Sequence, residues 1–208
     1  MEAIIFDLGG VILDIDISKT NEAFRRLGFE RIDDYFGLGH AGYFFKDYEA
    51  GKISDEEFIQ RVRDILGEGS SEEKVIAAWN ALLGEFPEER VEYLEGLKDR
   101  YRLFLFSNTN GIHLKYFKED FRNRFGKDLD ELFEKAYYSH LAGFRKPDAE
   151  GFLHILEENG LRAETTVFVD DALVNVKAAR AVGLHGFHLE PGKKIEEIDP
   201  ATWAKNNL

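Results

Sequence analysis

The feature that most constrains the fold is an alternation of short, β-rich apolar runs with longer helical patterns. Runs typical of buried strands occur at residues 3–6, 103–106, 136–138 and 167–169, with a weaker one at 185–189. Helical patterns of ten or more residues lie between them, the clearest at 87–98 and 149–158. Because strands that alternate with helices form parallel sheets, the sequence predicts an α/β fold.

One gap in this alternation is too long for a single crossover helix. About 95 residues separate the first run, which ends at Phe6, from the second, near Arg102, whereas a simple βαβ unit takes about 30. The gap carries no convincing strand, and its helical patterns cover residues 18–27, 41–49, 54–66 and 71–83. We therefore expect an α/β core of residues 1–17 and 85–208 that carries an all-helical cap domain of residues 18–84.

Composition limits the partners of this chain. Its 208 residues carry a net charge of -13 and include no cysteine. The negative charge argues against nucleic acid or an anionic membrane as a partner, and the absence of cysteine excludes disulfides and thiolate sites. No apolar run approaches the roughly 18–20 residues of a membrane-spanning helix, and no basic region precedes the first run. We expect a cytoplasmic protein whose polar residues from Glu197 onward are loosely held.

Polar residues stand directly after the predicted strands. In chain order these residues are Asp7, Ser107-Asn108, Lys146 and Asp170-Asp171. Taken singly, each has an ordinary interpretation as a turn carboxylate, a helix N-cap or a solvated surface lysine. In an open parallel sheet, however, ligands bind beyond the carboxyl ends of the strands. Their occurrence together therefore predicts that these side chains converge on one crevice.

Asp7 and the Asp170-Asp171 pair indicate phosphoryl transfer through a covalent aspartyl intermediate. In that chemistry a carboxylate nucleophile needs a cation that holds it near an anionic phosphate. We assign Asp7 as the nucleophile. A second oxygen of Asp7, the carboxylates of Asp170 and Asp171, and the backbone carbonyl of Gly9 offer hard oxygen ligands that suit Mg²⁺, the predicted cofactor.

Ser107, Asn108 and Lys146 supply the phosphate-binding groups in this hypothesis. The Ser107 hydroxyl and the backbone amides of Ser107-Asn108 can donate hydrogen bonds to phosphate oxygens. Lys146 neutralises the developing charge and pairs with the aspartates, so its predicted role is both catalytic and substrate-binding. The predicted partner is a small phosphorylated metabolite.

The residues and their order resemble the haloacid dehalogenase superfamily, whose four signature motifs are matched across nearly the whole chain. By this resemblance Asp7 is the family nucleophile, Ser107 the second-motif hydroxyl and Lys146 the third-motif lysine. Asp170-Asp171 matches the acidic pair of the fourth motif, in which Asp171 is the better candidate for a direct metal ligand. The resemblance implies a Rossmann-like core with a cap, and phosphatase activity.

A narrower set of motifs resembles the bacterial glucose-1-phosphatase-like subgroup of that superfamily. The motifs are Asp-Leu-Gly-Gly-Val at 7–11, Ser-Asn-Thr-Asn at 107–110, Phe-Arg-Lys-Pro-Asp at 144–148, and the Asp-Asp pair followed by Asn175. This narrower resemblance implies a sugar phosphate, such as glucose 1-phosphate, as the substrate.

Gly9 departs from the usual phosphatase pattern, which has a second aspartate two positions after the nucleophile. In the family that aspartate protonates the leaving oxygen and later activates water, and general acid–base help is worth about 10²- to 10⁴-fold. Its absence is expected to favour esters with an acidic leaving group, such as the anomeric oxygen of a sugar 1-phosphate. His113, in the helix after the second motif, is an alternative proton donor, although a lone helical histidine is more often structural.

Two alternative functions are kept beside the phosphatase. A haloacid dehalogenase uses similar residues without Mg²⁺, but the Asp170-Asp171 pair argues against it. The other alternative is a catalytically weak phosphate-binding protein that lost its activity with the second aspartate. Turnover of a generic phosphate ester separates the phosphatase from the phosphate-binding protein.

Substrate choice is expected to depend on the cap. Residues 39–46 mix aromatic and hydrogen-bonding groups in a manner suited to a sugar ring. Tyr43, Phe44 and Phe45 fit equally well a packing role between the cap and the core.

Overall fold

Five parallel strands form the central sheet in our computed structural model, which describes residues 1–34, 36–37, 40–41, 43–67 and 70–203. In order across the sheet, the strands are β5 (Lys135–Tyr138), β4 (Arg102–Ser107), β1 (Ala3–Phe6), β6 (Thr166–Asp170) and β7 (His185–His188). Each neighbouring pair is parallel. The predicted α/β fold is confirmed, and the weak run at 185–189 is a strand.

Both faces of the sheet are buried because the strand residues alternate between two apolar layers. Ile4 and Phe6 of β1 contribute to one layer, and Ala3 and Ile5 contribute to the other. Helices α5 (Glu88–Leu97) and α6 (Gly111–Phe125) cover the first layer, and the second lies under α8 (Ala149–Glu158) and α9 (Leu173–Ala181). A short helix, α7 (Ser139–Ala142), follows β5.

The inserted segment folds mainly into helices that surround an aromatic centre of their own. The helices are α1 (Ile17–Arg26), α2 (Tyr43–Glu49), α3 (Asp55–Leu66) and α4 (Glu72–Asn80). Phe45, Phe58 and Trp79 are fully buried among them, with ring centroids 4.9 to 5.6 Å apart. An antiparallel bridge between Ile15 and Leu83 joins the two connections to the core. The division at residues 18 and 84 stays a prediction.

Two sequence-based expectations need correction. The inserted segment is not all-helical, because β2 (Phe36–Gly37) and β3 (His40–Ala41) pair antiparallel within it. Strands of two residues carry too little periodicity to be recognised in a sequence. The segment beyond Glu197 is also not loose as far as Trp203, whose indole is fully buried and meets the Phe6 ring edge-on at 5.8 Å.

Within the described ranges, no helix combines the length and the apolar character that crossing a bilayer requires.

Candidate active site

The site lies at the carboxyl edge of the three central strands. Strand β1 ends immediately before Asp7, and its neighbours β4 and β6 end at Ser107 and Asp170. Because the strands are parallel, their ends bring these side chains to the same edge of the sheet. Asp7 and Ser107 line a cavity of about 230 Å³ together with Lys146 and Asp171. The structure therefore brings the predicted residues together in one crevice.

Lys146 bridges two aspartates at the centre of this crevice. Its Nζ lies 2.6 Å from Asp7 Oδ1 and 2.7 Å from Asp170 Oδ2, and the residue is only 1% exposed. The backbone N–H of Leu8 also donates to Asp7 Oδ1, at 2.6 Å. Burial opposes the charge of Lys146, but the carboxylates of Asp170 and Asp7 outweigh it and raise the pKa of the ammonium. The lysine is therefore charged and holds Asp7 in place.

Hydrogen bonds occupy both carboxylate oxygens of Asp170. Oδ2 accepts from Lys146, and Oδ1 accepts from the backbone N–H of Ala172 at 2.7 Å. Asn175 Nδ2 lies 3.1 Å from both oxygens. Asp170 is thus committed to holding the lysine and the loop after β6. Asp171, which lines the cavity, is the better placed of the pair to bind a cation.

The three aspartates fit a hard divalent cation. Oxygens of Asp7, Asp170 and Asp171 all lie within 4.8 Å of one another. Three carboxylates beside the single Lys146 ammonium leave two negative charges uncompensated, which matches the charge of Mg²⁺. Burial, followed by the charge of Asp170, raises the pKa of Asp171 to about 6. Burial also raises the pKa of Asp7, although Lys146 opposes that rise.

Asn108 positions the lysine. Its Nδ2 donates to the Lys146 carbonyl at 2.9 Å, and its Oδ1 accepts from the Lys146 N–H at 2.9 Å. Because the amide side chain is committed to this loop, the predicted phosphate contact of Asn108 is left to its backbone N–H. Ser107, which is 3% exposed, lines the cavity beside it.

Comparison with known proteins assigns the family. The model of the haloacid dehalogenase-like hydrolases matches residues 1–183, which is most of the chain. The chain belongs to this family. The sequence-based prediction of the family and of a hydrolase is therefore confirmed.

Individual relatives are similar to this chain over about nine-tenths of its length or more. The chain is 32% identical to D-ribitol-5-phosphate phosphatase from Bacteroides thetaiotaomicron, with 91% of this chain and 92% of the relative covered. It is 29% identical to a sesquiterpene phosphatase from Aspergillus oryzae, covering 90% of this chain and 89% of that relative. A haloacid dehalogenase family enzyme from Bacteroides thetaiotaomicron, crystallised with magnesium and inorganic phosphate, superposes with a TM-score of 0.90 at 30% identity, covering 95% and 98% of the two chains. The glucose-1-phosphatase-like subgroup stays a prediction.

His113 does not replace the acid that this family member lacks at Gly9. The ring is buried and stacks on Trp79 with centroids 4.7 Å apart. Its Nδ1 lies 3.0 Å from the Asn110 amide nitrogen, so Nε2 carries the proton and donates to the Trp79 carbonyl at 3.0 Å. Burial lowers the pKa of His113 to about 4. At neutral pH the ring is uncharged, which supports the structural interpretation.

The aromatic part of the predicted sugar-binding stretch packs inside the cap. Phe44 and Phe45 stack on each other at 4.6 Å, and both meet the ring of Phe58. Gly39, Gly42 and the side chain of Tyr43 lie outside the described part of the chain.

Two residues that the sequence reasoning missed bring charge to the cavity. Glu49, at the end of α2, pairs with Arg145 of the core, and both line the cavity. The position of Arg145 next to Lys146 was a usable signal. Glu49 carried none, because only the docking of α2 brings it there.

Proposed function

We propose that the protein hydrolyses the phosphate ester of a small polyhydroxy compound through a phosphoaspartate at Asp7. The main support for this proposal is the asymmetry of the Asp7 carboxylate. Oδ1 is held by Lys146 and by the Leu8 N–H, each at 2.6 Å. Oδ2 has no hydrogen bond among the described residues, so it is the oxygen left to attack phosphorus.

Named phosphatases among the relatives support this proposal. The predictions of a phosphate-monoester hydrolase and of Mg²⁺ as its cofactor are confirmed by the phosphatases among its relatives and by the related enzyme crystallised with magnesium and phosphate. The residues that would hold Mg²⁺ are Asp7 and Asp171. The Gly9 carbonyl stays a predicted further ligand, and Gly9 lines the same cavity. When bound, the ion supplies positive charge that offsets the phosphate oxygens and the clustered carboxylates.

The first chemical step makes and breaks one bond to phosphorus. Asp7 Oδ2 forms the new oxygen–phosphorus bond, while the bond from phosphorus to the ester oxygen breaks and its electron pair stays on the leaving group. Ser107 and the backbone amide of Asn108 donate to phosphate oxygens, and Lys146 balances charge on the Asp7 side. Water then attacks the phosphoaspartate, which releases phosphate and restores Asp7.

Gly9 bears on which esters suit this step. With no carboxyl two positions after Asp7, the departing oxygen must leave with little help from a protein acid. An anomeric oxygen is more acidic than an ordinary alcohol, which favours a sugar 1-phosphate. Glucose 1-phosphate is accordingly our finer proposal, within a broader class of sugar and sugar-alcohol phosphates to which the ribitol-phosphate relative also points.

A screen of phosphorylated metabolites with Mg²⁺ and with EDTA tests the proposal. We expect Mg²⁺-dependent release of phosphate from sugar or sugar-alcohol esters, which Asp7→Asn removes while the circular dichroism spectrum is unchanged. Turnover that survives Asp7→Asn would exclude the phosphoaspartate. Turnover of halogenated acids that resists EDTA would instead support the dehalogenase, and phosphate binding without any turnover would support the weak binding protein.

A further inference from the structure

Glu49 and Arg145 form a charged contact between the inserted segment and the core at the cavity. Arg145 Nη2 donates to Glu49 Oε2 at 2.7 Å, and the two side chains are 16% and 14% exposed. Both line the cavity that also contains Asp7 and Gly9. Within the described part of the chain, the buried Nε of Arg145 has no hydrogen-bond partner. A buried donor without a partner is costly, so an acceptor on a bound substrate is a suitable partner for Arg145 Nε.

The backbone around Glu49 is fixed to the core. Its carbonyl accepts from Ser139 Oγ at 2.7 Å, and Ser139 Oγ in turn accepts from the Thr109 N–H at 2.9 Å. Gly51, at φ +69°, passes so close to His140 that a Cβ would lie 3.0 Å from the His140 carbonyl carbon. The end of α2 is therefore held against α7, and through Ser139 it is linked to the loop that follows β4. A rigid backbone lets the pair act as a preorganised binding element.

We infer that Glu49 and Arg145 together recognise neutral hydroxyl groups on the leaving part of the substrate and select against anionic leaving groups. This inference rests on the proposed function. A hydroxyl both donates and accepts, so a carboxylate beside a guanidinium can satisfy both of its requirements. A leaving group with a carboxylate or a second phosphate would face the Glu49 charge, because Arg145 is already neutralised by it. Apolar residues such as Ile15 and Leu83 line the same cavity and can contact the carbon chain.

Two matched pairs of esters test the inference. Ribitol 5-phosphate and pentyl phosphate have the same chain length and a primary alkoxide leaving group, but only the first carries hydroxyls. The second pair, 3-phosphoglycerate and glycerol 3-phosphate, differs by a carboxylate in place of a hydroxymethyl group. Comparing kcat/KM within each pair removes general effects on catalysis, including any proton donation by Glu49, since a lost acid would slow both members.

Glu49→Gln is the main variant. We expect the ratio of kcat/KM for ribitol 5-phosphate to that for pentyl phosphate to fall at least about tenfold, which corresponds to about 1.4 kcal/mol. The ratio for 3-phosphoglycerate over glycerol 3-phosphate should rise by a similar factor, because Arg145 is released to bind the carboxylate. Arg145→Gln should lower the first ratio without raising the second, and it provides a second test if Glu49→Gln folds poorly.

Tyr48→Phe is the matched control. Tyr48 precedes Glu49 in α2, and its hydroxyl links Asp55 to the Ile112 N–H, but it does not line the cavity. This variant loosens a cap contact without touching the pair, so both ratios should stay within about twofold of wild type, a difference of less than about 0.5 kcal/mol. The inference is wrong if Glu49→Gln leaves either ratio unchanged or if Tyr48→Phe changes them equally.

A binding measurement separates this inference from the proposed function. In the Asp7→Asn background, isothermal titration calorimetry with Mg²⁺ gives the Kd of ribitol 5-phosphate and of pentyl phosphate without turnover. Adding Glu49→Gln should reduce the preference for the hydroxylated ester about tenfold, and an unchanged preference overturns the inference. If wild type hydrolyses neither these four esters nor glucose 1-phosphate while this preference still responds, the proposed function fails and the recognition role stands.

Discussion

The backbone of Gly10 passes so close to the carboxylate of Asp171 that no side chain fits between them. A Cβ added to Gly10 would lie 2.7 Å from Asp171 Cγ and closer still to Oδ2. Gly10 also has φ +77°, in the left-handed region that other residues adopt at a cost. The second glycine after the proposed nucleophile thus lets the carboxylate of Asp171, a proposed metal ligand, approach the turn that carries Asp7.

Gly10→Ala is therefore expected to damage the metal site and the fold together. The positive φ and the displaced Asp171 should lower the free energy of unfolding by about 1–3 kcal/mol. Mg²⁺ affinity, measured by calorimetry, should fall as well. Gly9→Ala is the matched control, because the atoms nearest to its Cβ would be those of the Ile15 side chain, at 3.3 Å or more. Equal losses of stability in the two variants would contradict the close-approach argument.

Lys146→Ala is expected to be costly for stability as well as for activity. Asp170 is fully buried, and removing the ammonium 2.7 Å away leaves its charge without a cation. Breaking such a buried pair typically costs about 3–5 kcal/mol. Lys118→Ala breaks the pair with Asp130, whose side chains are 26% and 45% exposed, and should cost less than about 1 kcal/mol. Urea denaturation with EDTA compares the two variants, and a Lys146 loss as small as the Lys118 loss would refute the pairing argument.

The sequence predicted the positions of the candidate site because strand ends are local features. Asp7 and Ser107 follow apolar runs that are recognisable on their own, and parallel pairing then places them together. The sequence shows Asn175 only as part of a motif, because its bond to Asp170 depends on the position of the first turn of α9. Hydrophobic patterns with periods of 2 and 3.6 residues predict strands and helices because each pattern reflects the burial of a single element.

Contacts between distant elements could not be predicted in the same way. Glu49 and Arg145 are 96 positions apart, and their pairing depends on how α2 docks against the core. The close approach of Gly10 to Asp171 likewise requires the β1 and β6 loops to be placed relative to each other. Neither contact produces a periodic pattern in the sequence, because each joins single residues from two distant segments.

Metal-free protein should lose stability as the pH rises through the titration of Asp171. Burial, followed by the charge of Asp170, raises the pKa of Asp171 from 3.8 to about 6. A carboxyl whose folded pKa is raised stabilises the fold fully below its unfolded pKa, and this contribution disappears as the pH passes about 6. The difference in unfolding free energy between wild type and Asp171→Asn, measured with EDTA, should therefore decline from pH 4 to pH 7. A difference independent of pH would show that the carboxyl is not perturbed.

Mg²⁺ should reverse this trend. The cation favours the ionised carboxylates, so its affinity should increase as the pH rises through about 6, the pKa of Asp171. At about 100 times its Kd, Mg²⁺ should add about 2.7 kcal/mol to the free energy of unfolding if it binds only the folded state. Melting curves of wild type and Asp171→Asn at pH 7, with Mg²⁺ and with EDTA, measure this gain. If Mg²⁺ raises the melting temperature of wild type no more than that of Asp171→Asn, Asp171 does not bind the metal.

Gly9→Asp tests whether the missing acid shapes substrate choice. Gly9 is not among the glycines with positive φ, and a Cβ there would only press on Ile15, so the variant should fold. The new carboxyl would stand two residues after Asp7 at the cavity, where it can protonate a poorly leaving oxygen. Esters of ordinary alcohols should therefore gain more than glucose 1-phosphate, by a factor of at most about 10²–10⁴. Gly9→Asn matches the shape without the acid and should leave the ratio of the two activities near that of wild type. If well-folded Gly9→Asp shows the same ratio as Gly9→Asn, the absence of a carboxyl at Gly9 does not determine which esters are hydrolysed.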